Sequence, residues 1–134
     1  MAVIQARTRA QLRQAVGDNL GAVLTGTATS GTSATVFADT ALAGYGDDDF
    51  NGWWVVFTGA TANNGKVRQV ADFAQSGGSI TIRATATALT TPTTSDTYEL
   101  WPSYYNPSQI PRYLNQALIE ATGRAFDPVE DTTL

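Results

Sequence analysis

The sequence predicts an α+β, mainly β, fold: a small antiparallel six-stranded barrel or sandwich flanked by an N-terminal and a C-terminal amphipathic helix. Three observations carry that expectation. Apolar residues recur about every four positions near both ends of the chain and every two positions between them. Clusters of Gly, Ser, Asn and Pro cut the middle into short runs rich in Val, Ile, Thr and aromatics. The densest run, Trp53-Trp54-Val55-Val56-Phe57-Thr58, is apolar at odd and even positions alike, which calls for a strand covered on both faces. The 134 residues read as a single domain, 1–134, with helix 8–20, β unit 22–101, helix 107–125 and a mobile tail 127–134.

Thr8-Arg9-Ala10-Gln11 fits a capping box, in which the Thr8 hydroxyl accepts the Gln11 amide and the Gln11 side chain reaches back. Leu12, Val16 and Leu20 then follow at four-residue intervals, and Gly21 stands where a C-cap is needed. Gly17 weakens this helix by about 1 kcal/mol relative to alanine, so it needs a packing partner. The first strand is expected over 22–29, a turn at Ser30-Gly31-Thr32-Ser33, and a returning strand over 34–38. A loop over 39–51 carries Tyr45 and the run Asp47-Asp48-Asp49. Strands over 53–58, 66–73, 79–84 and 97–101 follow, separated by turns and by a Thr/Ala-rich loop with Pro92.

Asn106-Pro107-Ser108-Gln109 is a second capping-box pattern with proline at the first helical position. Pro111 deletes an early backbone bond, so the alternative is a start one turn later with Pro111 near the first position. Ile110, Leu114, Ala117, Leu118 and Ala121 line one face of this helix. The expected core is Leu12, Val16, Trp53, Val55, Phe57, Ile80, Ile82, Leu114 and Leu118. The two helices are expected to pack on each other, or jointly on one face of the β unit.

Composition narrows the chemistry. There is no cysteine and no histidine, which removes thiolate nucleophiles, zinc–thiolate sites and the commonest general base. A net charge of −4 with a single lysine, Lys66, argues against a nucleic-acid partner. No run approaches the roughly 18 apolar residues of a membrane span, and the first residues lack the apolar stretch of a signal peptide. The expectation is a protein with no enzymatic activity, no cofactor and no membrane partner.

Four patterns nevertheless compete with structural readings. Asp47-x-Asp49-x-Asn51-Gly52 copies the first half of an EF-hand loop, but Thr58 stands where the bidentate glutamate belongs and a strand follows instead of a helix. A solvated acidic loop is the favoured reading, leaving Asp47, Asp49 and Asn51 as weak metal candidates. Trp53, Trp54, Trp101, Tyr104 and Tyr105 could form a sugar-binding platform, yet strand position favours core packing for the tryptophans and leaves Tyr104 and Tyr105 as surface candidates. The segment from Gly59 to Gly65 lacks the ending of a phosphate loop and reads as a hairpin turn. Lys66, Arg68 and Arg83 make a small basic spot suited to Asp72, Glu99 or a neighbouring chain.

The segment Asn51-Gly52-Trp53-x-Val55-x-Phe57-Thr58, followed by Lys66-Val67-Arg68-Gln69-Val70-x-Asp72-Phe73 and closing on Ser95-Asp96-Thr97-Tyr98-Glu99-Leu100, resembles a small β domain of tailed-bacteriophage virion proteins. The flanking helices, with Thr8-Arg-Ala-Gln-Leu-Arg and Pro107-Ser-Gln-Ile, are similar to the paired helices of phage head–tail adaptors. Such adaptors are compact helical bundles, and the β unit between the helices is a departure. The resemblance implies a virion structural protein of the head–tail connector, adaptor or tail region, assembled in the host cytoplasm. It further implies a homo-oligomeric ring bound to portal or tail components, without catalysis. Tyr104, Tyr105, Arg112 and Gln116 are the interface candidates. The alternative is a tail-fibre or baseplate β module binding carbohydrate or a host receptor.

Overall fold

The structure, a computed structural model, describes residues 7–59 and 61–125. In chain order its elements are α1 (Arg9–Leu20), β1 (Leu24–Thr27), β2 (Ser30–Ser33), β3 (Val36–Ala38), β4 (Trp54–Phe57), β5 (Val67–Ala74), β6 (Ser79–Ile82), β7 (Thr97–Trp101) and α2 (Ile110–Ala125). The strands form one antiparallel sheet in the order β1-β7-β4-β5-β6-β3-β2. Its two edge strands, β1 and β2, are separated in sequence only by Ala28 and Thr29. So short a link spans no more than about 10 Å, so the sheet has to curl until its edges meet. Backbone bonds fix the junction, from the Ala28 amide to the Asp96 carbonyl (2.9 Å) and from the Thr29 amide to the Ala38 carbonyl (2.7 Å). The result is a curled half-barrel.

The expected six strands are thus seven. The strand expected over 22–29 stops at Thr27, and the expected turn Ser30–Ser33 is itself β2, paired with β3. Its Ser and Gly content matched turn chemistry, but here it serves an edge strand with alternating exposure. Gly31 is required there because the Pro92 carbonyl oxygen lies only 1.9 Å from where a Cβ would stand. The turn falls at Ala34 and Thr35 instead, where the Ser33 hydroxyl accepts the Thr35 amide (3.2 Å).

The concave face holds the core. Leu100 and Tyr98 from β7, Val55 and Phe57 from β4, Val70 and Phe73 from β5, Ile80 and Ile82 from β6, and Phe37 from β3 form one buried cluster. The rings of Phe37, Phe57 and Tyr98 meet in tilted and edge-to-face pairs at 5.6 and 5.3 Å, a geometry that favours aromatic contact. Of the expected core, Val55, Phe57, Ile80 and Ile82 are here, and Trp53 packs partly buried at the margin. Polar bonds tie the loops down. The Tyr98 hydroxyl donates to Asp39 Oδ2 (2.6 Å) inside the core, and burial together with this carboxylate raises its pKa. Asp96 joins the hairpin after β4 to the strap after β6, accepting from Thr61, Asn63 and both the amide and hydroxyl of Thr93. Burial pushes the Asp96 carboxyl up, but these hydrogen bonds outweigh it and hold the group below the ordinary aspartate value of 3.8.

The helices depart from the expected core. Leu12 is 36% exposed, Val16 and Leu114 are half-buried, and Leu118 is 66% exposed. For α1 the reason is rotation. Its seated face is Arg13 and Gly17, one residue round from Leu12 and Val16, a turn of about 100°. A Cβ at Gly17 would stand 3.2 Å from the Trp101 ring and 3.0 Å from Val23, so the glycine that costs helix propensity also permits the close approach. Beside it Arg13 Nε meets Glu99 Oε2 at 3.0 Å, and Trp101 Nε1 donates to the same oxygen at 2.8 Å. The outer face of β7 and β4, with Glu99, Trp101 and Val56 all buried, is therefore covered as well. The Thr8–Gln11 capping box closes in both directions (3.2 and 2.8 Å), and Gly21 adopts φ +64° as C-cap.

Helix α2 starts one turn later than 107, with Pro111 in its first turn. The second capping box does not close, because Asn106 Oδ1 accepts the Ser108 amide (2.9 Å) and the Gln109 amide bonds the Asn106 carbonyl. The helix touches α1 over a short stretch. No helix among the described residues is long and apolar enough to cross a membrane, and the segment 127–134 lies outside them.

Candidate docking surface

The tyrosine turn begins where β7 ends. Pro102 is buried behind Trp101, its carbonyl accepts the Tyr105 amide (2.9 Å), and the Trp54 indole donates to the Ser103 carbonyl (3.2 Å). This anchored turn throws Tyr104 outward, 72% exposed, with Tyr105 beside it. Their rings meet edge-to-face at 4.6 Å and 62°, so they do not offer the flat, coplanar platform that sugar stacking requires.

Helix α2 follows directly. Ile110 and Leu114 are half-buried, and a cleft of about 380 Å³ between the helices is lined by Val16, Leu20, Tyr105, Ile110 and Tyr113. The rest of α2 faces out. Tyr113, Leu118 and Ile119 are 60%, 66% and 72% exposed, and Arg112 and Gln116 are exposed in one row with Ile119. Leu118 belongs to the apolar stripe seen in the sequence, but Ile119 does not. An isoleucine on what ought to be the polar side of an amphipathic helix was the available signal for it.

The other sequence candidates have structural work. Asp47 Oδ1 accepts the Gln75 amide (2.6 Å), Asp49 Oδ2 the Gly46 amide (2.7 Å) and Asn51 Oδ1 the Phe73 amide (2.8 Å). The half EF-hand pattern thus clips the long loop to the end of β5. Among the described residues no group of three or more His, Cys, Asp or Glu side chains is placed to hold a metal ion. Trp101 is fully buried, while Trp53 and Trp54 are half-buried, so the tryptophans do not form a common surface. The basic spot does not pair with Asp72 or Glu99. Lys66 donates to the Ala88 carbonyl (3.3 Å), and Arg68 to the carbonyls of Val67 (2.7 Å) and Thr87, pinning the strap before β7. Glu99 goes to Arg13, a pairing between the first helix and the last strand that no local pattern announces.

The chain matches no family model, no curated protein and no solved structure.

Proposed function

We propose that the protein is a non-enzymatic structural subunit of a tailed-phage virion, a head–tail connector or adaptor that assembles into a ring through α2 and the tyrosine turn. The observation that carries this reading is the exposure of Tyr104, Tyr113, Leu118 and Ile119 on one helix and the turn leading into it. Burying a side chain of this size is worth about 1.5–3 kcal/mol, so a helix that leaves several exposed keeps association energy in reserve. Arg112 and Gln116 supply polar groups in the same row as Ile119, in the manner of an interface rim. Ring assembly is heterologous: α2 of one subunit meets a different face of the next, with the barrel-like β unit as the rigid body that sets the angle. The assignment to a virion rests on the sequence resemblance in the strand β4–β5 region and the paired helices.

Electron microscopy of the purified protein at high concentration, with co-purification against any portal or tail proteins that genes beside its own encode, tests this reading. Rings or a stable complex with one of those proteins are expected. A strict monomer that binds none of them overturns it.

A further inference from the structure

A second feature borders the tyrosine turn at Tyr104, where the long loop before β4 meets the end of α1. A cleft of about 330 Å³ is lined by Tyr45, Phe50, Trp53 and Tyr104, with Asp49 and the C-terminal end of α1 at Gly21 completing its wall. Phe50 is buried as its floor. Tyr45 and Trp53 stand against that floor on edge-to-face contacts, with ring centroids 4.8 and 5.1 Å from the Phe50 ring. We propose that this cleft binds the guanidinium of an arginine presented by a peptide segment of a partner protein.

Three independent features of the cleft select a cation. Aromatic faces carry the negative side of the ring quadrupole, and a guanidinium stacks on them better than an ammonium. Asp49 contributes a carboxylate whose Oδ2 is held by the Gly46 amide (2.7 Å), while among the described residues its Oδ1 accepts nothing. That fixes the orientation of the side chain and leaves one oxygen for a charged donor. The third is the end of α1, a twelve-residue helix with no basic residue in its last turn, so the negative end of its dipole is not neutralised from within the helix. Among the described residues no basic side chain lines the cleft. A neutral sugar would need several hydrogen-bonding groups converging on it, and a purely apolar ligand would leave the Asp49 charge desolvated.

The test is an NMR titration of the full chain with a capped five-residue peptide, Gly-Ser-Arg-Ser-Gly, following the Trp53 indole resonance. The arginine peptide is expected to shift that resonance to saturation, and the same peptide with citrulline, an uncharged isostere of arginine, is not. Tyr45→Ala and Tyr104→Ala should each weaken binding by about two- to fivefold. Asp49→Asn, which keeps an acceptor for Gly46, should weaken it by at least about fivefold. Asp47→Asn removes the same charge two residues away, outside the cleft, and should change little. Tyr104 is 72% exposed, so its truncation reports on binding and not on folding. Equal shifts from the citrulline peptide, equal losses from Asp47→Asn and Asp49→Asn, or a response to a neutral oligosaccharide in place of the arginine peptide would overturn the assignment.

Discussion

Phe57 and Ile80 in the sheet are fully buried, whereas Leu118 and Ile119 in α2 are 66% and 72% exposed. These are residues of similar hydrophobicity within one small protein. The curled sheet buries its apolar face against itself, and every buried side-chain polar atom on the described residues has a hydrogen-bond partner. Helix α2 touches little but α1 and keeps much of its apolar surface in water. The sheet buries its apolar residues within one chain while α2 leaves Tyr113, Leu118 and Ile119 exposed, which is why the functional reading rests on the helix.

If that contrast is right, substitutions in the sheet should cost stability and substitutions on α2 should cost association. The largest expected effect is Phe57→Ala, which empties the centre of the sheet and should destabilise by about 3–5 kcal/mol in chemical denaturation. Next is Arg13→Ala. It strands the Glu99 carboxylate, whose side chain is 3% exposed, with only the Trp101 indole for company, and should cost about 3 kcal/mol. A loss below 1 kcal/mol would mean that α1 is not latched to the sheet as described.

A smaller effect should carry a pH signature. The folded-state pKa of Asp96 is depressed, so its contribution is fully present above the ordinary value of 3.8 and is lost as pH falls through the lower folded value. Asp96→Asn should therefore lower stability at neutral pH and flatten its decline below about pH 4, read from melting temperatures across pH. An unchanged acid slope would show that the Thr61, Asn63 and Thr93 bonds do not discriminate the charged form.

What the sequence disclosed follows the range of the interactions. The Thr8–Gln11 box, the Gly21 cap and the delayed start of α2 at Pro111 are local, and their residues announce them. The short apolar, β-branched and aromatic runs between turn residues placed β4 to β7 closely, with alternate burial in β6 and burial on both faces in β4 and β7. The division of the first strand was hidden, since Ser30–Ser33 becomes a strand only by pairing with β3 at an edge of the curled sheet. Gly17 read as a weakness because its partner, Trp101, lies at the far end of the chain. Of the exposed residues on the turn and α2, Tyr104, Tyr105, Arg112 and Gln116 were singled out in the sequence, but Ile119 was not. The aromatic cleft was not legible, because Tyr45, Asp49 and Tyr104 converge only after the loop before β4 folds back on the turn after β7.

The most direct test of the contrast is sedimentation velocity over a range of protein concentration, comparing the wild type with Leu118→Asp/Ile119→Asp and recording the melting temperature of each. Surface changes of this kind stay within about 0.5 kcal/mol of stability when the side chains bury nothing in the monomer. The account predicts that the wild type forms larger species as concentration rises, while the double variant stays monomeric and melts at the same temperature. A wild type that remains monomeric throughout, or a variant that melts many degrees lower, would contradict it.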